Sequence, residues 1–408
     1  MANIQTSGPQ DAAADAARLL QRLGFAVLAI GGPCAELLSS RAIFVFFPIG
    51  VALLLVSATL HPVRGATRRM GDALGSPLLW CGLALLGWAA LSLLWTPFPT
   101  SAVTQLGKVA GTAFLAFLAV GCMRDHMRAG DLYLFPVGVL LSMCGILGAA
   151  LAVHAGAMPN DGRIGRAGVT LVMLLWPAMA GLAARGRNGY ARLLLILAAV
   201  FVFATGAPVT AAALLVGVLA LSFAISDIKR TIFDFGVIAA AIVLLSPLAP
   251  ALAPTAARWF YSAKLAALDE PFPPLAAAAE ILLHDPFRLF TGHGFYAAVR
   301  GIENGLLPPR TPRVALFEVW YELGIIGAAL SAAIVWQAFR SVGGFGVRIA
   351  PYIVAALAST LTLAFLGEDV SQMWWVTVMA ISAISTAAAF HSQYRTKRPL
   401  AAVSHPTL

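Results

Sequence analysis

The sequence has little charge for its length. Only 11% of its 408 residues are Asp, Glu, Lys or Arg, whereas 60% are hydrophobic. Soluble globular domains are about 25% charged and about 45–50% apolar, so this composition excludes a soluble protein. The apolar runs are continuous over about 20 residues, which is typical of membrane helices, whereas a membrane β-barrel would show alternating segments of about ten residues. We therefore predict an all-α, polytopic membrane protein.

Cysteine is scarce as well. Cys34, Cys81, Cys122 and Cys144 are isolated in or near apolar runs and form no CxxC pair. Neither a disulfide framework nor a zinc site is indicated, and we expect four buried small hydrophobic side chains. A Walker motif, a dinucleotide fingerprint, GxSxG and metal-ligand spacings are missing too, so a cytoplasmic nucleotide site is not supported. Met1–Asp15 has no basic n-region, and we expect no cleavable signal peptide.

Long apolar segments predict about twelve transmembrane helices. They lie approximately at residues 23–40, 42–60, 77–95, 103–122, 132–153, 167–184, 191–206, 207–225, 232–250, 314–339, 349–367 and 372–391. The first is the weakest, because Gly31, Gly32, Pro33 and Glu36 interrupt it. The seventh and eighth are separated only by residues 205–208, which predicts either a tight turn or a break within one long bent helix.

The distribution of basic residues predicts the orientation of these helices. With the N-terminus in the cytoplasm, every cytoplasmic segment is basic, as the positive-inside rule describes. These residues are Arg18, Arg22, Arg64, Arg68, Arg69, Arg124, Arg128, Arg185, Arg187, Arg192, Lys229, Arg230, Arg340, Arg348, Arg395, Lys397 and Arg398. Topology, and not nucleic-acid binding, thus explains the net charge of +9. Both termini are placed in the cytoplasm.

The longest polar stretch is the loop at residues 251–313, which this orientation places on the outer side. It is inserted in a single membrane domain that covers residues 1–408. Prolines on both sides of residues 275–284 predict a short helix there. A Gly-His-Gly turn centred on His293 follows, where the backbone can approach a substrate closely. If the protein catalyses a reaction, we expect the chemistry in this loop, against the membrane surface.

The outward basic residues are informative because topology does not require them. They include Arg163 and Arg166 in a short outer turn, Arg288, Arg310 and Arg313 in the long loop, and Lys108 near the outer end of the fourth predicted span. A guanidinium group pairs with phosphate oxygens in a bidentate way, so the cluster suits a diphosphate attached to a lipid. Contact with anionic phospholipid headgroups is the alternative, and for Lys108 it is snorkelling to those headgroups.

Two histidines and two glutamates complete the candidate site. His293 and His284 are candidates for a general base or acid because imidazole titrates near neutral pH, with a structural role as the alternative for each. Glu318 and Glu322 lie four residues apart and share one helical face near the outer end of the tenth predicted span. One could be a base, or both could hold arginines in place, and we favour the supporting role.

Four short motifs carry a family resemblance. They are Ala277–Phe295 (AAAEILLHDPFRLFTGHGF), Leu316–Gly327 (LFEVWYELGIIG), Leu91–Pro97 (LSLLWTP) and Asp161–Arg166 (DGRIGR). Together with twelve spans and one large outward loop late in the chain, they resemble the O-antigen ligase and O-antigen polymerase superfamily. The layout matches over nearly the whole chain, although the motifs are short and degenerate.

The resemblance implies a metal-independent membrane glycosyltransferase of lipopolysaccharide or surface-polysaccharide biosynthesis. Such an enzyme transfers a glycan from an undecaprenyl diphosphate carrier to an acceptor hydroxyl at the periplasmic face of the bacterial inner membrane. Its partners would be the lipid-linked donor, a lipid or glycan acceptor and membrane lipids, with no cofactor and no nucleic acid. Arginines would stabilise the leaving diphosphate and a histidine would activate the acceptor.

One position departs from the family pattern. Members often carry a His-Asn pair nine residues ahead of the glutamate that corresponds to Glu322, and here Arg313 occupies that place. We therefore count Arg313 with the catalytic candidates, and His293 or His284 would substitute as base. The departure leaves both a ligase and a polymerase open.

Two hypotheses from other functional classes also remain. Twelve spans suit a transporter of a lipid or small amphiphile, although few charges lie within the predicted spans and no repeat is evident. A non-catalytic scaffold of a polysaccharide-assembly machine is the third reading.

Overall fold

The computed structural model describes residues 9–39, 41–61, 66–123, 129–157, 162–248, 281–282, 287–308, 311, 313–367 and 372–391. Within these ranges every regular element is helical and no strand occurs. The prediction of an all-α protein is therefore confirmed. The predicted short helix at residues 275–284 lies almost entirely outside the described residues.

The described ranges contain seventeen α-helices. They are α1 Pro9–Ala26, α2 Gly32–Leu38, α3 Ile43–Leu60, α4 Ala66–Leu74, α5 Pro77–Ser92, α6 Pro99–Gly121, α7 Ala129–Leu132, α8 Leu134–His154, α9 Arg163–Ala184, α10 Asn188–Ala204, α11 Pro208–Ser226, α12 Ile228–Leu245, α13 Arg288–Thr291, α14 Ala297–Glu303, α15 Ala315–Ser341, α16 Ala350–Leu366 and α17 Met373–His391. A π-helical turn, Val27–Gly31, joins α1 to α2, and short 3₁₀ turns follow α12 and α15.

Length and apolar composition identify the helices that can cross a membrane. In the described part of the chain seven qualify, and an eighth is added if α4 and α5, which meet at an angle of 66°, form one bent span. Helices α10 and α16 are apolar but shorter. The protein is thus a polytopic helical membrane protein, whereas the count of about twelve spans stays a prediction.

Helical structure begins well ahead of the first predicted span. Helix α1 starts at Pro9 and runs through the π-helical turn into α2, so the helical stretch extends well ahead of residue 23. Residues 12–22 are mostly Ala, Leu, Arg and Gln, which favour helix even where they are too polar to span a membrane. The π-helical turn includes Gly31, one of the residues that interrupt the first predicted span.

Helix α9 lies at the centre of the bundle. It is apolar on all sides, and 83% of its apolar 18-residue stretch is buried. It packs against α8, α10, α16 and α17. Its Trp176 is fully buried, and the indole Nε1 donates to Ser359 Oγ at 2.9 Å. The Ser359 hydroxyl in turn donates to the carbonyl oxygen of Ala213 at 2.8 Å. This chain of hydrogen bonds joins α9, α16 and α11.

The cysteine expectation is wrong. All four thiols are free, but Cys34, Cys81 and Cys122 are only partly buried and Cys144 is exposed. In a membrane bundle the outer surface faces lipid, so a small apolar side chain gains little from the protein interior over the bilayer.

We expect Gly217→Ala to destabilise the bundle. A Cβ at this position of α11 would lie 3.0 Å from Trp176 Cε2 and would also press on Ser359 Oγ. Overpacking of this kind costs about 1–3 kcal/mol. Gly111→Ala is the matched control, because a Cβ there meets nothing within 4 Å. Thermal unfolding in detergent should show a lower Tm for Gly217→Ala alone, and equal Tm values for both variants would contradict this packing.

Candidate functional site

Three segments meet at one end of the bundle. Helices α5, α13 and α14 all pack on α15, and the stretch between α13 and α14 contains His293. Helix α15 is broken at Gly324, which has φ 63° and ψ −160°. The break divides α15 into a short segment that carries Glu318 and Glu322 and a longer segment that ends at Ser341.

The break gives the His293 loop its attachment. In an unbroken α-helix the carbonyl groups of Tyr321 and Glu322 would accept from the N–H groups four residues later. Here they accept from the loop: the His293 N–H donates to Tyr321 O at 2.8 Å, and the Gly294 N–H donates to Glu322 O at 2.9 Å. Two successive backbone hydrogen bonds therefore fix the loop on the helix.

Glycine is required where the loop crosses the helix. Gly292 and Gly324 both have positive φ angles, of 73° and 63°. A Cβ on Gly324 would lie 2.8 Å from the Gly292 nitrogen, and a Cβ on Gly292 would clash with the Glu322 carbonyl group. Only glycine combines the left-handed backbone with this close approach.

The ring of His293 is held by two further contacts. Its Nδ1 lies 3.1 Å from Tyr321 O, and its ring stacks on the Tyr321 ring with centroids 4.1 Å apart and planes 6° from parallel. A carbonyl oxygen can only accept, so Nδ1 carries the proton. In the neutral ring the lone pair is therefore on Nε2. A neutral imidazole with its lone pair on Nε2 has the tautomer in which Nε2 is the proton-accepting nitrogen.

Helix α5 clamps the loop from the other side. The Phe295 N–H donates to Ser92 Oγ at 2.9 Å, and the Thr96 hydroxyl donates to Phe295 O at 3.1 Å. The Trp88 indole donates to Leu323 O at 2.9 Å. Ser92 and Thr96 were not among the predicted site residues. Both belong to the LSLLWTP motif, so this motif is the sequence signal from which they could have been predicted.

Glu322 supports the loop through its side chain too. The residue is 7% exposed, and its Oε1 accepts from the Ala298 N–H at 3.1 Å. Its carbonyl group accepts from the Gly294 N–H. Glu322 therefore bonds both to the loop that precedes α14 and, through its side chain, to Ala298 within α14. The supporting role that we favoured for Glu322 is thus directed at backbone, whereas the prediction that it holds an arginine stays untested.

A tyrosine and an arginine extend the cluster. Tyr296 has φ 64°, a left-handed conformation that is costly for a residue with a Cβ. Burial raises the pKa of the Tyr296 hydroxyl, Arg300 opposes the rise, and the carboxylates of Glu303, Glu322 and Glu318 add to it. The Arg300 guanidinium lies 5.6 Å from the centroid of the Tyr296 ring and pairs with Glu303 at 2.7 Å.

Arg300 was not among the residues selected from the sequence. Its Nε is buried and has no hydrogen-bond partner among the described residues. Arg300 lies two residues after Ala298, whose N–H bonds to Glu322. The spacing of residues in the sequence does not reveal this neighbourhood.

Two predicted arginines and one predicted glutamate lie on the elements around this cluster. Arg288 opens α13, the short helix that precedes His293 and packs on α15. Arg313 is half-buried and precedes α15 by two residues. Glu318 is 9% exposed and lies one turn ahead of Glu322. The structure therefore bonds the His293 loop to Tyr321 and Glu322. Arg288 lies on the helix that precedes this loop, and Glu318 and Arg313 lie in and just ahead of the helix that holds it.

Arg166, from the predicted short outer turn, contacts a different helix. Arg163 begins α9, and Arg166 follows one turn later. Arg166 Nε lies 3.4 Å from Glu36 Oε2, and the Glu36 side chain is fully buried on α2. This ion pair orients Arg166 toward α2, and its described contacts do not join it to His293. From the sequence, Glu36 was identified only as a residue that interrupts the first predicted span, and this ion pair was not predicted.

The remaining predicted residues lie apart or outside the description. Lys108 is exposed on α6. His284 and Arg310 lie outside the described residues. In the described part of the chain, no group of three or more His, Cys, Asp or Glu side chains could hold a metal ion.

The site was compared with known proteins. No protein-family model, no curated protein and no solved structure matches this chain. The site must therefore be interpreted from its own geometry.

Replacing Glu322 should reveal its structural role. Glu322→Ala leaves the buried Ala298 N–H without its acceptor, at a cost of about 1–3 kcal/mol, whereas Glu322→Gln retains an acceptor oxygen. We expect Glu322→Ala to unfold at a lower temperature than Glu322→Gln in detergent. Glu303→Ala, which removes an exposed ion pair, is the control and should change Tm little. Equal Tm values for the two Glu322 variants would refute the proposed attachment.

Proposed function

We propose that this protein is a membrane glycosyltransferase that transfers a glycan from a polyprenyl diphosphate carrier to an acceptor hydroxyl. The observation that carries the proposal is the fixed His293 ring, whose Nδ1 donates to the Tyr321 carbonyl group. A base in this orientation, beside arginines and at the end of a membrane bundle, suits a reaction between a lipid-linked anion and a hydroxyl. The motif resemblance to the O-antigen ligase and polymerase superfamily, whose motifs include His293 and Tyr321, also supports the proposal.

The proposed reaction starts with proton removal. Nε2 of His293 takes the proton from the acceptor hydroxyl, and the oxygen attacks the anomeric carbon of the donor. A bond forms between these two atoms while the bond from the anomeric carbon to the phosphate oxygen breaks. The diphosphate leaves with the electron pair, so neither an oxidant nor a reductant is needed.

The leaving diphosphate needs positive charge. Arg288 is at the cluster, and Arg313 and Arg300 lie on the flanking elements. Hydrogen bonds from guanidinium groups strengthen as charge develops on the leaving oxygens, which lowers the barrier. Arg163, Arg166 and Arg310 are proposed to bind the diphosphate or the lipid-proximal sugar. Glu318 and Glu322 position the loop and take no proton from the acceptor.

The acceptor separates two versions of this activity. A lipid acceptor makes the enzyme a ligase, and a growing glycan makes it a polymerase. We propose a bacterial inner-membrane location with both termini in the cytoplasm and the site at the periplasmic face. The basic segments between predicted spans support this orientation.

We expect His293→Ala to abolish most glycan transfer. Loss of a general base lowers the rate by about 10²–10⁴-fold. The purified protein would be incubated in nanodiscs with a polyprenyl-diphosphate-linked oligosaccharide and acceptor, and released polyprenyl diphosphate would be measured. His154→Ala is the matched control, because His154 is exposed at the end of α8 and touches no part of the cluster described above. Wild-type rates for His293→Ala would refute the assignment.

Arg288 should act on the donor. Arg288→Ala removes a charge-assisted hydrogen bond of about 1.5–3 kcal/mol, so we expect kcat/KM for the donor to fall by about 10–100-fold. Arg288→Lys should retain part of the activity, because lysine keeps the charge but loses the bidentate geometry. Arg230→Ala at the opposite end of the bundle should be neutral. Equal kcat/KM for Arg288→Ala and wild type would exclude Arg288 from the donor site.

A transporter is the second candidate, and the break in α15 favours it. Broken helices with ionisable residues beside the break form substrate sites in secondary transporters. Glu318 and Glu322 precede Gly324 in this way. Uptake of a labelled amphiphile by reconstituted vesicles, with no glycan product and no released carrier, would support transport over transfer.

A further inference from the structure

A second site candidate lies at the other end of the bundle. A cavity of about 790 Å³ opens where α9, α11 and α12 approach the start of α16. Its lining includes Asn188, Ser226, Lys229, Arg348 and Tyr352. None of these residues has a place in the proposed transfer reaction.

Helix α12 fixes the distance between the two sites. It begins beside the cavity at Ile228, and near its other end the Val243 carbonyl accepts from the Trp320 indole at 2.8 Å. Trp320 precedes the His293-binding residue Tyr321 in α15. The 18 residues of α12 extend about 27 Å, close to the thickness of a bilayer core. The cavity therefore lies at the opposite membrane face from His293.

The cavity has an excess of positive charge. Lys229 and Arg348 are both exposed within it, and no carboxylate in the described ranges lies within ion-pairing distance of either. Cations that face a shared cavity without a paired carboxylate attract an anion.

The one carboxylate in the lining is already engaged. Asp227 caps the N-terminus of α12, where its Oδ1 accepts from the N–H groups of Lys229 and Arg230 at 3.1 Å each. This cap satisfies two helix N–H groups, and the Asp227 carboxylate is directed at the helix backbone. The neighbouring cations remain available to an external anion.

The rest of the lining is apolar and opens toward lipid. Ile225 and Val347 line the cavity and are 68% and 81% exposed. Tyr190, two residues after the cavity-lining Asn188 in α10, is 59% exposed, and the Arg187 guanidinium lies 5.7 Å from the centroid of its ring. Exposed tyrosines mark the interface between bilayer and water. The cavity thus offers cations at headgroup depth and an apolar wall toward the acyl chains.

We propose that this cavity binds the headgroup of an anionic phospholipid from the leaflet opposite the His293 site. The phosphate pairs with Lys229 and Arg348, and the glycerol and first acyl carbons lie along Ile225 and Val347. Basic pockets between membrane helices recognise anionic lipid headgroups in this way. The lipid bridges α12 and the start of α16, and the proposal does not depend on glycosyl transfer.

The test uses the full chain in detergent. Phosphatidylglycerol, phosphatidylcholine and inorganic phosphate would each be titrated, and binding would be read by native mass spectrometry. We expect bound phosphatidylglycerol and little bound phosphatidylcholine. Lys229→Gln and Arg348→Gln should each weaken phosphatidylglycerol binding by roughly fivefold, and the double variant by roughly thirtyfold. Circular dichroism would confirm that these exposed substitutions leave the fold intact.

A second double variant controls for net charge. Arg230→Gln with Arg340→Gln removes two cations from the same end of the bundle, and neither residue lines the cavity. This variant should retain wild-type phosphatidylglycerol binding. Equal weakening in both double variants would replace the site with general surface attraction and overturn the proposal. Inorganic phosphate that binds as tightly as phosphatidylglycerol, or displaces it, would overturn the assignment to a lipid.

Discussion

The site depends on two backbone hydrogen bonds made possible by a break in a helix. The break at Gly324 turns the Tyr321 and Glu322 carbonyl groups toward His293 and Gly294, which donate to them. An unbroken α15 would use these carbonyl groups within the helix. The position of the imidazole is therefore set by main-chain geometry, and the surrounding side chains strengthen it.

The other contacts follow from this attachment. The Tyr321 ring stacks on His293, the Glu322 side chain bonds to Ala298, and Ser92 holds Phe295. Each of these requires the loop to lie on α15 first. A site built on such contacts is preorganised, because its polar groups are aligned before any substrate arrives. In the proposed reaction, the adjacent arginines would provide the positive charge that a diphosphate requires.

Much of the fold could be predicted from hydrophobic runs, because a long apolar segment has few alternatives to a membrane helix. The close backbone approach at His293 could also be predicted, since glycines lie on both sides of it. The break at Gly324 could not, because a glycine within a helical pattern more often continues the helix. The pairing of Arg166 with Glu36 joins residues 130 positions apart, and no local pattern encodes such a contact.

The two ends of the bundle divide the polar chemistry of the protein. The His293 end combines an imidazole, carboxylates and arginines in a packed cluster, whereas the opposite end has an open cavity with cations and an apolar wall. Helix α12 joins them through the hydrogen bond between Trp320 and Val243. A lipid at one end and a lipid-linked donor at the other would place both leaflets in contact with one rigid element.

The most direct test of the account is the protonation pattern of the His293 ring. The protein would be labelled with ¹⁵N-histidine, studied in bilayers by solid-state NMR at mildly alkaline pH, and compared with His293→Gln to assign the signal. The account predicts a neutral ring with the proton on Nδ1 and a lone pair on Nε2. A ring protonated on Nε2 alone would contradict it, because His293 would then lack both the Tyr321 hydrogen bond and the lone pair needed for proton removal.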